Sequence, residues 1–215
     1  MTQAILYSFR RCPYAMRARL AIASSGTEVE LREILLRDKE PAFLEASPSA
    51  TVPCLVTQGN VIDESRDIMV WVLSQNDPEG WLDMPNEGHD IIDLIEGPFK
   101  VALDRYKYSS RYQGADKANE RAAASAYLQD LNVRLEGNAF LFGSDATLAD
   151  MATLPFVRQF ANTDRQWFDA QGWPHLAAWL IEFLDSTRFK AIMQKYPVWQ
   201  PDDPITLFPE VRSET

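Results

Sequence analysis

The stretch QAILYSFRRCPYAMRARLAIASSG, residues 3–26, decides how the N-terminal half of this chain is read. Residues 3–9 are rich in Ile, Leu, Tyr and Phe and predict a short strand. Arg10, Arg11 and Cys12 follow as a turn. Pro13 suits the first position of a helix, where its missing N–H costs nothing. Ala15, Met16, Ala18, Leu20, Ala21 and Ile22 then make a compact apolar helix that Gly26 ends. This order puts Cys12 at the N-terminus of the helix, where unpaired backbone N–H groups and the helix dipole favour an anion. Arg10 and Arg11 add positive charge beside it. Both effects lower a thiol pKa and enlarge the thiolate fraction, which is the nucleophilic form. Cys12 is therefore the candidate reactive sulfur.

Outward from this stretch, residues 28–36 predict a second strand through Val29, Leu31, Ile34 and Leu35, and residues 39–46 a short helix. Residues 51–57 predict a third strand, and residues 60–63 a fourth after the turn at Gln58 and Gly59. Ser65 is placed to cap a helix that runs to about Gln75. Two strands joined through a helix pair in parallel by a right-handed crossover, and two joined by a tight turn pair antiparallel. Residues 1–76 thus form an α/β domain with a small mixed sheet. Residues 77–89 are rich in chain breakers and read as a linker. Apolar residues then recur at helical spacing over 90–111, 116–136, 148–161, 174–184 and 187–195, so residues 90–215 form a helical domain. Its tail, from Trp199 through Pro201, Pro204 and Pro209, is expected to be irregular and to wrap the domain. Thr147 and Asp150 have the spacing of a capping box, with Asp in place of the usual Glu or Gln.

Composition narrows the function. The chain has 215 residues, 46% of them hydrophobic, and a formal net charge of −10. An acidic balance argues against nucleic-acid partners, which are met by basic patches. No stretch approaches the roughly 20 apolar residues that span a bilayer. The first residues lack a basic region followed by an apolar run. The expected setting is cytoplasmic, away from membranes. The two cysteines and two histidines have no Cys-x-x-Cys or His-x-x-x-His spacing, so neither a disulfide framework nor a metal site is expected. Cys54 sits in an apolar strand and reads as a buried structural thiol. Three residues beyond Cys12 stands Ala15, so a second thiol for redox chemistry must come from outside the chain. Val52 and Pro53 read as a bend that offers backbone groups to a peptide-like ligand, or as an edge-strand proline. Glu64 and Ser65 start a second helix. There a hydroxyl and N–H groups can hold a carboxylate and Glu64 an ammonium, or the pair is an ordinary cap with an acidic neighbour.

Three segments together resemble the cytosolic glutathione transferases: Arg11-Cys-Pro-Tyr-Ala-Met-Arg-Ala-Arg-Leu20, Thr51-Val-Pro-Cys-Leu55 and Asp63-Glu-Ser-Arg-Asp-Ile68. The nearest likeness is to the cysteine-type, omega-like branch. Thr147 to Asp150 and the run from Trp173 to Phe189 resemble the family's later helices. The resemblance implies a thioredoxin-like N-terminal domain and an all-α C-terminal domain. It implies that Pro53 is cis, that Val52 pairs its backbone with the cysteinyl part of glutathione, and that Glu64 and Ser65 bind the γ-glutamyl end. Glutathione would be the cosubstrate, forming a mixed disulfide with Cys12. The family's lysine before the cis-proline loop corresponds here to Ala46, which leaves Lys39 or Arg37 for the glycyl carboxylate. The electrophile site would draw on Phe9, Arg10, Tyr106, Tyr112 and Trp167. A homodimer would use the helix of the 60s and 70s and the helix near 90–111. The activity implied is thiol transfer or dehydroascorbate reduction. Two other readings stay open: a two-domain monothiol glutaredoxin-like protein, and a transferase-like binding or regulatory protein without catalysis.

Overall fold

The computed structural model describes residues 3–210. In chain order the elements are β1 (Ala4–Ser8), α1 (Pro13–Ser25), β2 (Val29–Glu33), α2 (Pro41–Ala46), β3 (Cys54–Val56), β4 (Val61–Ile62) and α3 (Ser65–Gln75). They continue with α4 (Asn86–Leu94), α5 (Lys100–Lys107), α6 (Lys117–Arg134), α7 (Leu148–Ala161), α8 (Arg165–Asp169), α9 (Pro174–Asp185), α10 (Thr187–Ile192) and β5 (Leu207–Phe208). The chain forms an α/β thioredoxin-like N-terminal domain and a helical C-terminal domain. It divides into two compact units, one running to Glu79 and resumed from Ser186 onward, the other spanning Gly80–Asp185. The segment from Ser186 thus belongs with the α/β unit and not with the helices that precede it.

In the α/β unit the sheet order is β4-β3-β1-β2-β5. β1 and β2 are parallel, with Leu6 opposite Leu31. β1 and β3 are antiparallel, with Tyr7 opposite Cys54, and so are β3 and β4, with Leu55 opposite Ile62. α1 packs on α3, burying Ala15, Met16, Ala18, Leu20 and Ile22 against a helix whose Ile68, Met69, Val72 and Leu73 are also buried. Gly26 ends α1 in the left-handed conformation, φ 69°, which carries no Cβ penalty in glycine. Tyr7 faces Phe43 of α2, ring centroids 5.2 Å apart, and Trp199, 6.1 Å away.

The tail differs from the expected irregular wrap. Trp199 is buried, and its N–H donates to the Glu33 carbonyl at 2.9 Å. Val29 pairs with Phe208 and Glu30 with Leu207, antiparallel, so the tail adds a strand to the edge of β2. A two-residue strand within a proline-rich segment has no alternation to read. Its position follows from the unpaired N–H and C=O groups of β2, which an edge strand presents to any segment in reach.

The helical unit departs from its expected boundaries at two places. α4 begins at Asn86, inside the stretch that reads as a linker. Upstream of it Trp81 is fully buried, and its carbonyl accepts the Leu148 N–H at 2.8 Å. The single helix expected over 90–111 is interrupted by a π-helical turn at Ile95–Phe99, where Gly97 has non-helical angles and Pro98 lacks an N–H. α8, capped by the Asp164 side chain, is too short to show a period. α7 matches its expected bounds, 148–161. The buried Asp150 carboxylate accepts the Thr147 N–H at 2.9 Å, the Thr147 hydroxyl at 2.8 Å and the Leu141 N–H at 2.8 Å, which completes the capping box. Among the described residues no helix is long and apolar enough to cross a membrane.

Candidate functional site

The turn after β1 is closed by the Cys12 N–H, which donates to the Phe9 carbonyl at 3.0 Å, and the Met16 N–H returns to the Cys12 carbonyl at 2.9 Å. Cys12 keeps an extended backbone, φ −72° and ψ 124°, and occupies the N-cap of α1, with Pro13 at the first helical position. Its side chain is half-buried against a cluster formed by Tyr7, Ile34, Phe43, Val52, Cys54 and Trp199. The thiol donates to the Val52 carbonyl at 3.6 Å.

The positive charge at this turn is arranged differently from the expectation of two flanking arginines. The Arg10 guanidinium donates to the Met193 carbonyl at 3.4 Å, and Arg11 is exposed with its guanidinium 5.5 Å from the Phe9 ring centroid. Two arginines of α1 are buried, Arg17 and Arg19; the Arg17 guanidinium lies 5.9 Å from the Tyr14 ring centroid, and the one that reaches the Cys12 turn is Arg19, 1% exposed. Its Nε donates to the Ile192 carbonyl at 3.0 Å, Nη2 to the Arg10 carbonyl at 2.7 Å and Nη1 to the Ser8 hydroxyl. The available signal was a pair of arginines in a largely apolar helix, which reads equally well as solvated residues.

Beside Cys12 lies a cavity of about 300 Å³ lined by Tyr14, Thr51, Val52, Pro53, Asp63, Glu64 and Ser65. Four residues singled out in the sequence, Val52, Pro53, Glu64 and Ser65, therefore meet on one site. The Val52–Pro53 peptide bond is cis. Glu64, and not Ser65, is the N-cap of α3, with φ −88° and ψ 128°; Ser65 already has its place in the helix and is buried. Glu64 is exposed. The first N–H groups of an eleven-residue helix have no partner within it and face this site as donors for an anion.

Beneath the cavity the Asp63 carboxylate accepts the Ser47 hydroxyl at 3.1 Å and the Ser49 N–H at 3.0 Å, and also the Cys54 thiol. Burial pushes this carboxyl up, but the hydrogen bonds from Cys54, Ser49 and Ser47 outweigh it and hold Asp63 below its ordinary value. Cys54 is fully buried. Burial and the Asp63 charge push its thiol up to about 12, in keeping with a structural role. Lys39 does not line the cavity; its ammonium donates to the Ala50 carbonyl at 2.9 Å, immediately upstream of Thr51. Ala46 packs against the Tyr7 cluster, and Arg37 is exposed.

The aromatic candidates divide between the units. Phe9 and Arg10 stand at the Cys12 turn. In the helical unit Tyr106 is 1% exposed and packs on Phe160 at 5.4 Å. It is a core residue with no face left for a ligand, because the ring fills the space between α5 and α7. Trp167 is half-buried, stacked between Arg121, 4.3 Å from its ring centroid, and Trp173, 5.8 Å away. Tyr112 is exposed just past a short 3₁₀ turn.

Comparison with known proteins adds a family to this geometry. The glutathione S-transferase N-terminal domain matches residues 6–80 and the glutathione S-transferase C-terminal domain matches residues 114–182, together the greater part of the chain. The chain is similar to glutathione S-transferase D7 of Drosophila melanogaster, 27% identical over 199 residues, 81% of each chain. It is also similar to probable elongation factor 1-gamma 2 of Arabidopsis thaliana, 24% identical over 207 residues, 88% of this chain and 48% of that longer protein. Among solved structures, a glutathione transferase family member from Pseudomonas fluorescens Pf-5, with two glutathione bound, superposes with a TM-score of 0.77 at 16% identity, over 89% of this chain and 92% of that one. At that identity the likeness is one of fold.

Proposed function

The chain belongs to the glutathione S-transferase superfamily, and from that premise we propose that it is a glutathione-dependent thiol transferase of the cysteine type, working through Cys12. The observation that carries this reading is the placement of the Cys12 thiol at the α1 N-cap, 3.6 Å from the carbonyl of Val52, which itself lines the cavity shared with Pro53, Glu64 and Ser65. The cavity suits an extended γ-glutamyl tripeptide. Val52 offers its backbone to the cysteinyl residue. Glu64 meets the ammonium of the γ-glutamyl end, while Ser65 and the first N–H groups of α3 meet its carboxylate. Lys39, held at Ala50, supplies a cation for the glycyl carboxylate.

In the proposed cycle the Cys12 thiolate attacks the glutathione sulfur of a mixed disulfide G–S–S–R. The Cys12–S–SG bond forms, the S–S bond to R breaks, and the departing RS⁻ takes a proton. A second glutathione thiolate then attacks the glutathione sulfur on Cys12, releasing oxidised glutathione and regenerating the Cys12 thiolate. Ala15 stands where a second thiol would be needed for an internal route. Dehydroascorbate reduction shares only the second half-reaction: the Cys12 thiolate adds to a substrate carbonyl, a glutathione thiolate attacks the Cys12 sulfur of that adduct to give Cys12–S–SG and release protonated ascorbate, and a second glutathione regenerates the Cys12 thiolate as oxidised glutathione leaves. A cytoplasmic setting, with its reducing glutathione pool, fits a cysteine that must return to the thiolate.

Intact mass after incubation with oxidised glutathione tests this reading. The wild type should gain one glutathione and Cys12→Ser none; a wild-type protein that gains nothing refutes the mechanism. The likeness to an elongation factor subunit favours a second reading, a transferase-like binding protein, and that result would leave it standing. We also propose a homodimer through α3 and the α4–α5 region, where Val70, Leu94 and Val101 expose apolar surface. Light scattering should give twice the chain mass of 24.5 kDa, and a single-chain mass at micromolar concentration rules the dimer out.

A further inference from the structure

Arg19 is a fully buried cation whose hydrogen bonds go to oxygen atoms that carry no charge: the carbonyls of Ile192 and Arg10 and the hydroxyl of Ser8. Among the described residues it makes no ion pair within contact distance. Burying a guanidinium without a direct counter-ion is expensive, so its field is not cancelled locally and acts on its neighbours. The charged and titratable groups around it are Glu33 on β2, Cys12 and Arg10 on the turn after β1, and Tyr196 from the segment after α10. Tyr14, Asp63 and Glu64 line the cavity, and on α1 the buried Arg17 guanidinium lies 5.9 Å from the Tyr14 ring centroid.

The contacts connect this charge to Cys12 mechanically as well. Arg19 holds the Arg10 carbonyl, and the Arg10 N–H is held in turn by the buried Glu33 carboxylate at 2.7 Å. Arg10, two residues before Cys12, is thereby clamped from opposite sides by a buried cation and a buried anion. The other end of Arg19 rests on the C-terminal carbonyl of α10, which is the negative end of a helix and a favourable seat for a cation.

We propose, building on the reading of Cys12 as the reactive thiol, that Arg19 is its positioning residue: the buried guanidinium orders the turn and stabilises the Cys12 thiolate, with Glu33 as the opposing charge that limits the effect. Coupling between two ionisable groups is reciprocal. Burial lowers Arg19 to about 10, while Glu33 first and Cys12 second pull it back up, so the guanidinium favours the thiolate as much as the thiolate favours the guanidinium. Arg10 and Arg11, whose side chains point to Met193 and to the Phe9 ring, are secondary.

The test is the pH dependence of Cys12 alkylation by iodoacetamide, read by peptide mass in the full chain, without glutathione. Arg19→Gln should raise the midpoint by about one pH unit, a tenfold loss of thiolate below the midpoint. Arg19→Lys, which keeps the charge, should recover most of that shift. Glu33→Gln, which keeps an acceptor for the Arg10 N–H but removes the opposing charge, should move the midpoint the other way. Shifts of opposite sign are not produced by a loosened turn. Midpoints unmoved in Arg19→Gln and Glu33→Gln, or displaced in the same direction, overturn the proposal. If Arg19→Gln fails to fold by circular dichroism, Glu33→Gln decides alone: a lower midpoint supports the proposal and an unmoved or higher one overturns it. The glutathione adduct on wild-type Cys12 is scored separately, so loss of the thiol-transfer reading and loss of the role of Arg19 are distinguishable.

Discussion

Cys12 and Cys54 flank one backbone segment and pack against one cluster, yet their surroundings are opposed. Cys12 caps a helix, half-buried, with its thiol on the Val52 carbonyl. Cys54 is two residues further along that segment, inside a strand, fully buried and aimed at the Asp63 carboxylate. The first lies at a helix N-terminus, the positive end of the helix dipole; the second lies in a low dielectric beside a negative neighbour. On the proposed reading of Cys12, reactivity follows which side of the cis-proline segment a sulfur faces, and not proximity to the cavity.

The largest effect that could break this comparison is in labelling. With the Cys54 thiol pushed up to about 12, only about one molecule in 10⁴ carries its thiolate at pH 8. Iodoacetamide should therefore modify one cysteine in the native protein, Cys12, and both in denaturant. Native labelling of Cys54 at a comparable rate would remove the distinction. A smaller effect is expected at Trp199, which closes the cluster shared by both sulfurs. Trp199→Ala should cost about 3 kcal/mol in denaturant unfolding and should speed Cys54 labelling while leaving the Cys12 rate near wild type. A cost below about 1 kcal/mol would mean that the tail does not hold the sheet. The last effect is confined to alkaline pH and concerns stability. A thiol raised in the folded state contributes its stabilisation fully below its ordinary value of 9.0 and loses it as pH climbs toward about 12. Unfolding free energy should fall across that window by up to about 1.4 kcal/mol per pH unit from this group. The decline should be shallower in Cys54→Ala, and equal slopes in the two proteins would contradict the assignment.

Much of the site was legible because it is local. A proline after Cys12 and a glycine at position 26 mark a helix by rules that operate over a few residues, and the structure places α1 between them. Glu64 and Ser65 were legible as a helix start, although the cap itself fell one residue earlier than the hydroxyl suggested. Val52 and Pro53 could be read either as a ligand-facing bend or as an edge strand; the structure puts a cis bond between them on the wall of the cavity, just before β3. Tyr106 was not legible: an aromatic residue on a helix reads the same whether it lines a site or fills a core, and here Phe160 claims it.

The order of strands and helices through Gln75, the helix N-terminus at Cys12 and the acidic balance were determined by the sequence alone, since each follows from short-range periodicity, capping chemistry or charge. Tertiary structure decided the rest. Arg19 finds its acceptors on Ser8, Arg10 and Ile192, Asp63 meets Cys54 and two serines, and the tail finds the open edge of β2. These partners lie far apart in the chain, and what brings them together is the need of buried polar and backbone groups for a hydrogen bond, which no local pattern specifies.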